Sequence, residues 1–182
     1  MTTSFKSVGA TSVRFGKKAA VVIRGPSGAG KTPLIEELTR NLSKQMSVKC
    51  IILDRHSGVS SSHRPRSYHN LDSLSEDCIL VELGDGGDAT RNPQKWMDKL
   101  TAQGYSIYLF LLEAPLDELR KRTAIRTDWV DAFTIGSWNS YRYDPNFIDF
   151  AKKLGLPQPV IDTLRTGTQE AAQIVMKSLT WR

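Results

Sequence analysis

The chain has 182 residues, of which 40% are hydrophobic and 24% charged, enough to bury one globular core without disulfides or metals as staples. No apolar stretch approaches the roughly 20 residues that a membrane helix needs, so a membrane-spanning protein is not expected. A formal charge of +6 and an isoelectric point near 9.4 favour an acidic partner, since a positive field attracts phosphates over a Debye length of about 8 Å, but charge alone does not separate ATP from nucleic acid.

The basic excess starts early. From Met1 to Ile35 the chain carries Lys6, Arg14, Lys17, Lys18, Arg24 and Lys31 and no acid. Residues 1–18 read as an N-terminal extension with a short strand at 12–15 that turns at Gly16. An acid-free, Ser/Thr-rich leader can resemble an organelle transit peptide, but this one lacks an Arg-rich amphipathic helix.

Strands and helices then alternate. The apolar runs predict strands over 19–23, 48–54, 78–83, 105–113 and 159–163, and helices over 33–46, 93–103, 115–125, 145–154 and 168–179. In the first helix Leu34, Leu38 and Leu42 recur at i+4 beside Ile35 and Met46, one core-facing stripe. The strands are near-continuous apolar runs, as a parallel sheet covered on both faces requires, and the whole reads as one α/β domain of three layers. Cys50 and Cys78 each lie in such a run and read as buried strand thiols, which points to a reducing, cytoplasmic setting. Segments 55–70 and 127–144 break the alternation and are expected to be functional loops or lids.

Between the first strand and first helix stands Gly25-Pro26-Ser27-Gly28-Ala29-Gly30-Lys31-Thr32, a P-loop. Its glycines let the backbone wrap closely around phosphates with N–H groups pointing inward. Lys31 supplies a point charge to the β- and γ-phosphates, and the Thr32 hydroxyl is placed to ligate Mg²⁺. The helix that follows adds its positive dipole end, and Pro33 is tolerated there because first-turn N–H groups have no helical partner. The apolar strand before the motif and the amphipathic helix after it separate it from a glycine-rich turn.

With the P-loop, strand Cys50-Ile51-Ile52-Leu53-Asp54 ending in an acid, Ala102-Gln103-Gly104-Tyr105 leading into the next strand, Glu113-Ala114-Pro115-Leu116-Asp117-Glu118-Leu119-Arg120, and Pro159-Val160-Ile161-Asp162-Thr163, the chain resembles the P-loop kinases over most of its length. The likeness is greatest to the group of polynucleotide 5′-kinases, zeta-toxin-like kinases and chloramphenicol phosphotransferase. The resemblance implies a P-loop NTPase fold over residues 1–182, with a five-stranded parallel sheet, helices on both faces, an acceptor loop at 55–70 and a lid at 120–144. It implies use of ATP and Mg²⁺.

The resemblance also places an acid that handles the acceptor hydroxyl at Asp54, beyond the carboxyl end of the second strand, where ligands of open α/β sheets bind. Such a carboxylate acts as proton acceptor in a transfer governed by positioning and charge compensation; otherwise it caps the next turn. Glu82 and Asp85 compete for the place beside the metal. Glu82 sits in an apolar run, where burial without a partner is unfavourable, and Asp85 belongs to a Gly-rich stretch that reads equally as a turn. Arg120, Arg122 and Arg126 fall where this class carries lid arginines, which close over ATP and offset charge on the transferring group. At helical spacing Arg122 and Arg126 share a face and Arg120 does not. Surface ion pairs are the plain alternative.

Segment 55–70 holds all three histidines together with Arg55, Arg64 and Arg66 and is expected to line the acceptor pocket. The His56, His63 and His69 spacings match no compact zinc motif. Trp129, Phe133, Trp138, Tyr141 and Tyr143 lie among Arg126 and Arg142, a mixture that suits base stacking; alternatively these aromatics form the core of a lid helix. The expected activity is therefore transfer of the ATP γ-phosphate to a hydroxyl. The acceptor is a nucleic acid or nucleotide, either a polynucleotide 5′-hydroxyl or a hydroxymethylated base in DNA, as in the phage 5-hydroxymethyluridine DNA kinases that the chain resembles. A small-molecule kinase and a nucleotide-switch NTPase are the alternatives.

Overall fold

The computed structural model describes residues 18–53, 71–84, 88–124 and 145–179. The expected strand at 12–15, the proposed acceptor loop with Asp54, Arg55, Arg64 and Arg66, Asp85, and the segment carrying Arg126, Trp129 and Trp138 lie outside these residues.

Five strands, β1 (Ala19–Arg24), β2 (Val48–Leu53), β3 (Cys78–Leu83), β4 (Ser106–Glu113) and β5 (Val160–Asp162), form one sheet in the order β2-β3-β1-β4-β5. Every pairing is parallel, and β1 at the centre runs from Ala19 opposite Cys78 and Ser106 to Arg24 opposite Leu83 and Leu111. β1 and β3 are buried along their whole length, because each has a neighbour on both sides and helices over both faces.

Successive strand residues point to opposite faces, so β1 feeds two cores. Ala19, Val21 and Ile23 pack with Leu34, Ile35, Leu38 and Leu42 of α1 (Lys31–Leu42), and with the C-terminal helix through Ala171, Ala172, Val175 and Leu179. Ala20 and Val22 face the other way. They join Trp96, Met97 and Leu100 of α3 (Pro93–Ala102) and Phe147 and Ala151 of α5 (Pro145–Lys153). The remaining helices are α2 (Asp88–Arg91), α4 (Leu116–Thr123) and α6 (Thr168–Leu179). The arrangement has the three expected layers.

Four details depart from the sequence reading. Cys50 is exposed and only Cys78 is buried, because β2 is an edge strand whose inward positions are Ile51 and Leu53. Burial pushes the Cys78 thiol up to about 12. α1 stops at Leu42, where the amides of Gln45 and Met46 both donate to the Leu42 carbonyl and turn the chain, yet Met46 still packs on the core. β5 is three residues long, with Val160 exposed on the open edge. α2 is too short to show apolar periodicity. It is fixed instead by two buried hydrogen bonds, Thr90 Oγ1 donating to the Gly84 carbonyl (3.0 Å) and Trp96 Nε1 to the Ala89 carbonyl (2.9 Å). Among the described residues no helix is long and apolar enough to cross a membrane.

Candidate active site

The P-loop leaves the carboxyl end of β1 and enters α1 with Gly30 as its N-cap. Two glycines are in left-handed backbone, Gly28 at φ 82° and Gly30 at φ 92°, conformations that an L side chain opposes. Left-handed residues next to a helix N-terminus favour the inward-turned amides of an anion-binding nest. The Ala29 amide donates to the Pro26 carbonyl (3.1 Å), closing the turn.

Packing fixes this loop from outside as well. A Cβ on Gly25 would stand 2.7 Å from the Leu112 carbonyl of β4, and one on Gly28 would stand 3.0 Å from Thr123 Cγ2 and 3.2 Å from the Leu119 carbonyl of α4. At Gly30 a Cβ would meet nothing within 4 Å. Gly25 and Gly28 therefore carry close approach of the loop to β4 and α4, whereas Gly30 carries backbone conformation alone.

Lys31 is buried and its Nζ donates to the Gly25 and Pro26 carbonyls, the second at 3.1 Å. The ammonium is thus held over the loop's own cradle. The Thr32 hydroxyl lies 3.0 Å from each carboxylate oxygen of Glu82. Glu82 is buried and stands in register with Ile23 of β1 and Ile52 of β2, so the sheet aims it at the start of α1. Buried carboxylates need such partners. A hydroxyl beside a carboxylate is a hard-oxygen pair of the kind Mg²⁺ takes while keeping most of its waters, and the two side chains fit that ion.

The two described arginines of α4 diverge. Arg120 pairs with Asp117 (3.3 Å) on the outer side of the helix. Arg122 turns inward: Nε donates to Glu118 (2.9 Å), one terminal nitrogen to Thr163 Oγ1 (3.1 Å) and, at a long 3.4 Å, to the Gly28 carbonyl, and the other to the Thr163 carbonyl (3.0 Å). It ties α4 to the crest of the P-loop and to the turn after β5. Thr163, whose hydroxyl also donates to the Glu113 carbonyl (3.1 Å), closes the 159–163 run quoted for the resemblance, but the sequence reading gave it no role in the site. Of the candidate residues, the structure brings together Gly25 to Thr32, Glu82 and Arg122, with Arg120 at the margin.

No protein-family model matches the sequence, and no curated protein sequence does. Solved structures are similar at low identity. The chain is similar to the YorR protein of Bacillus subtilis in complex with phosphorylated GDP, at 15% identity over 88% of this chain and 95% of that one, with a TM-score of 0.58. It is similar to shikimate kinase from Acinetobacter baumannii in complex with shikimate, at 16% identity over 89% and 93%, TM-score 0.56. The Deinococcus radiodurans tunicamycin resistance protein is similar at 21% identity over 90% and 96%, TM-score 0.59. Likeness at these identities shows the fold alone, the α/β arrangement built here on one five-stranded, all-parallel sheet.

Proposed function

We propose that the protein is a kinase that transfers the γ-phosphate of ATP to a hydroxyl group, with a nucleic acid or nucleotide as acceptor. The observation that carries this reading is the pairing of Thr32 with buried Glu82 at the mouth of a P-loop whose cradle is spanned by Lys31. In this reading the left-handed loop holds the β-phosphate, and Lys31 exchanges its carbonyl partners for phosphate oxygens. Thr32 and Glu82 are the residues that would hold a magnesium ion. Mg²⁺ held there would supply positive charge that offsets the charge developing on the transferring phosphate.

Asp54 follows the last residue of β2 and is proposed to take the acceptor hydroxyl's proton; Asp85, after β3, is proposed as a second acid near the metal. Arg120 is proposed as a nucleotide contact, and Arg122, which holds Gly28, and Arg126 are proposed as catalytic arginines that offset charge on the transferring group. For the acceptor, the supporting features are the +6 charge and the proximity in sequence of Arg55, Arg64 and Arg66 to Asp54, with Trp129 and Trp138 as stacking surfaces. One P-loop kinase domain over residues 1–182, in the cytoplasm, is part of the same proposal.

Incubation with γ-labelled ATP, Mg²⁺ and a panel of DNA, RNA, nucleosides and small alcohols tests it. Label is expected on a nucleic acid or nucleotide and is expected to vanish with Lys31→Ala in a folded protein. Label on a small alcohol alone would move the acceptor to the small-molecule class. Release of inorganic phosphate with no labelled acceptor would replace the kinase with an NTPase switch.

A further inference from the structure

Arg24 is the last residue of β1 and the residue immediately before the P-loop, and its side chain is completely buried. A guanidinium withdrawn from water needs several compensating contacts. For the Arg24 guanidinium an aromatic ring and an amide oxygen supply two of them. Its carbon lies 4.0 Å from the centre of the Phe147 ring of α5, the range of a desolvated cation–π contact, and a terminal nitrogen donates to Gln158 Oε1 at 3.0 Å. Phe147 is itself fully buried in the core on that face, and Gln158 lies in the connection from α5 to β5. One side chain therefore joins the root of the phosphate loop to α5 and to the connection that leads from it into β5.

The backbone at this point has little freedom to absorb a movement. Gly25 abuts the Leu112 carbonyl so closely that a Cβ would stand 2.7 Å from it, and the Gly25 carbonyl is a partner of Lys31. If Lys31 leaves that carbonyl for a phosphate, the change is felt one residue from Arg24. From there the planar, pre-organised fork of an arginine transmits it to Phe147 and Gln158. Interiors packed at crystal density pass such shifts on instead of damping them.

We propose that Arg24 is a positioning residue that couples occupancy of the phosphate loop to α5 and the 154–159 connection. The proposal rests on the nucleotide-site reading above. Hydrogen exchange with and without the non-hydrolysable analogue Mg-AMPPNP tests it. In the wild type the analogue is expected to slow exchange at 25–34 and, through Arg24, at 147–159. Arg24→Met removes the charge and the fork at similar length; it is expected to keep the slowing at 25–34, with analogue affinity within about threefold, and to lose more than half of it at 147–159. Gln158→Leu, at a half-exposed position, is expected to reproduce the loss should Arg24→Met fold poorly. Arg24→Lys keeps a charge over Phe147 and is expected to restore part of the coupling.

A general structural role would instead raise exchange at 147–159 equally with and without analogue, leaving the difference between the two states intact. That result, in either Arg24→Met or Gln158→Leu, overturns the proposal, as does a wild type in which 25–34 is slowed and 147–159 is not. A wild type with no slowing at 25–34 overturns the nucleotide site itself, and the coupling with it.

Discussion

Two glycines of the P-loop make a matched pair, because they share a left-handed backbone and differ in what surrounds it. Placing Ala at Gly30, φ 92° with nothing within 4 Å of a new Cβ, adds only the strain of a left-handed L-residue, about 1–2 kcal/mol. Placing Ala at Gly28, φ 82°, adds the same strain and drives a methyl to 3.0 Å from Thr123 Cγ2 and 3.2 Å from the Leu119 carbonyl. The carbonyl belongs to the backbone of α4 and cannot rotate away. Overpacking of this kind adds about 1–3 kcal/mol. For a domain of this size each kcal/mol lowers Tm by about 2–4 °C. Thermal unfolding followed by circular dichroism should therefore show Gly30→Ala melting about 2–8 °C below the wild type and Gly28→Ala lower by about a further 2–12 °C. Equal melting temperatures for the two variants would refute the argument that α4 is seated on the loop.

Thr32→Val should raise the Mg²⁺ concentration needed for half-maximal turnover at least several-fold, and Glu82→Gln should do the same; an unchanged magnesium titration in both would place the metal elsewhere. Truncating Trp96, fully buried and bonded to the Ala89 carbonyl, to Ala should lower stability by about 3–5 kcal/mol in urea titration, whereas a shift below 1 kcal/mol would mean that the α3 face contributes little. Native protein should react with a thiol reagent at exposed Cys50 and spare Cys78 until unfolded. Because burial raises the folded Cys78 pKa from 9.0 to about 12, the unfolded chain loses that proton first as pH rises. This thiol's contribution to stability is therefore complete below pH 9 and declines between pH 9 and about 12, by about 1.4 kcal/mol per pH unit. A Cys78→Ser variant with the same alkaline decline would assign it to other groups.

The layers and the phosphate loop were legible because their signals are local: apolar runs for β1 and β3, the i+4 leucines of α1, and glycines where the backbone turns left-handed. The limits of β2 and β5 were not, because an apolar run does not say whether a strand has a neighbour on both sides; Cys50 reads as core in sequence and is on the edge in the fold. α2 escaped because its two anchors join Gly84 to Thr90 and Ala89 to Trp96, spacings that no single period reports. In the site, Lys31 and Thr32 follow from their motif. The choice of Glu82 as Thr32's partner depends on the sheet register, and the hold of Arg122 on Gly28 and Thr163 on the docking of α4. Arg24 carried a sequence signal that went unused, a charge at the end of a strand that is otherwise all apolar.

The order of the strands has a consequence for how the molecule comes into being. The phosphate loop occupies residues 25 to 32, yet its walls come from far along the chain. Leu112 closes on Gly25, Leu119 and Thr123 close on Gly28, Arg122 reaches Gly28 across 94 residues and Arg24 reaches Gln158 across 134. β1 itself gains its two neighbours only when β3 and β4 have been made. Parallel pairings of this kind must close long loops before they return any stabilisation, so they form slowly. During synthesis the glycine-rich loop leaves the ribosome early and lacks its walls until β4 and α4 follow. A ligand of this loop would therefore find no template in the N-terminal half alone; it could act only on a chain that has already threaded its sheet.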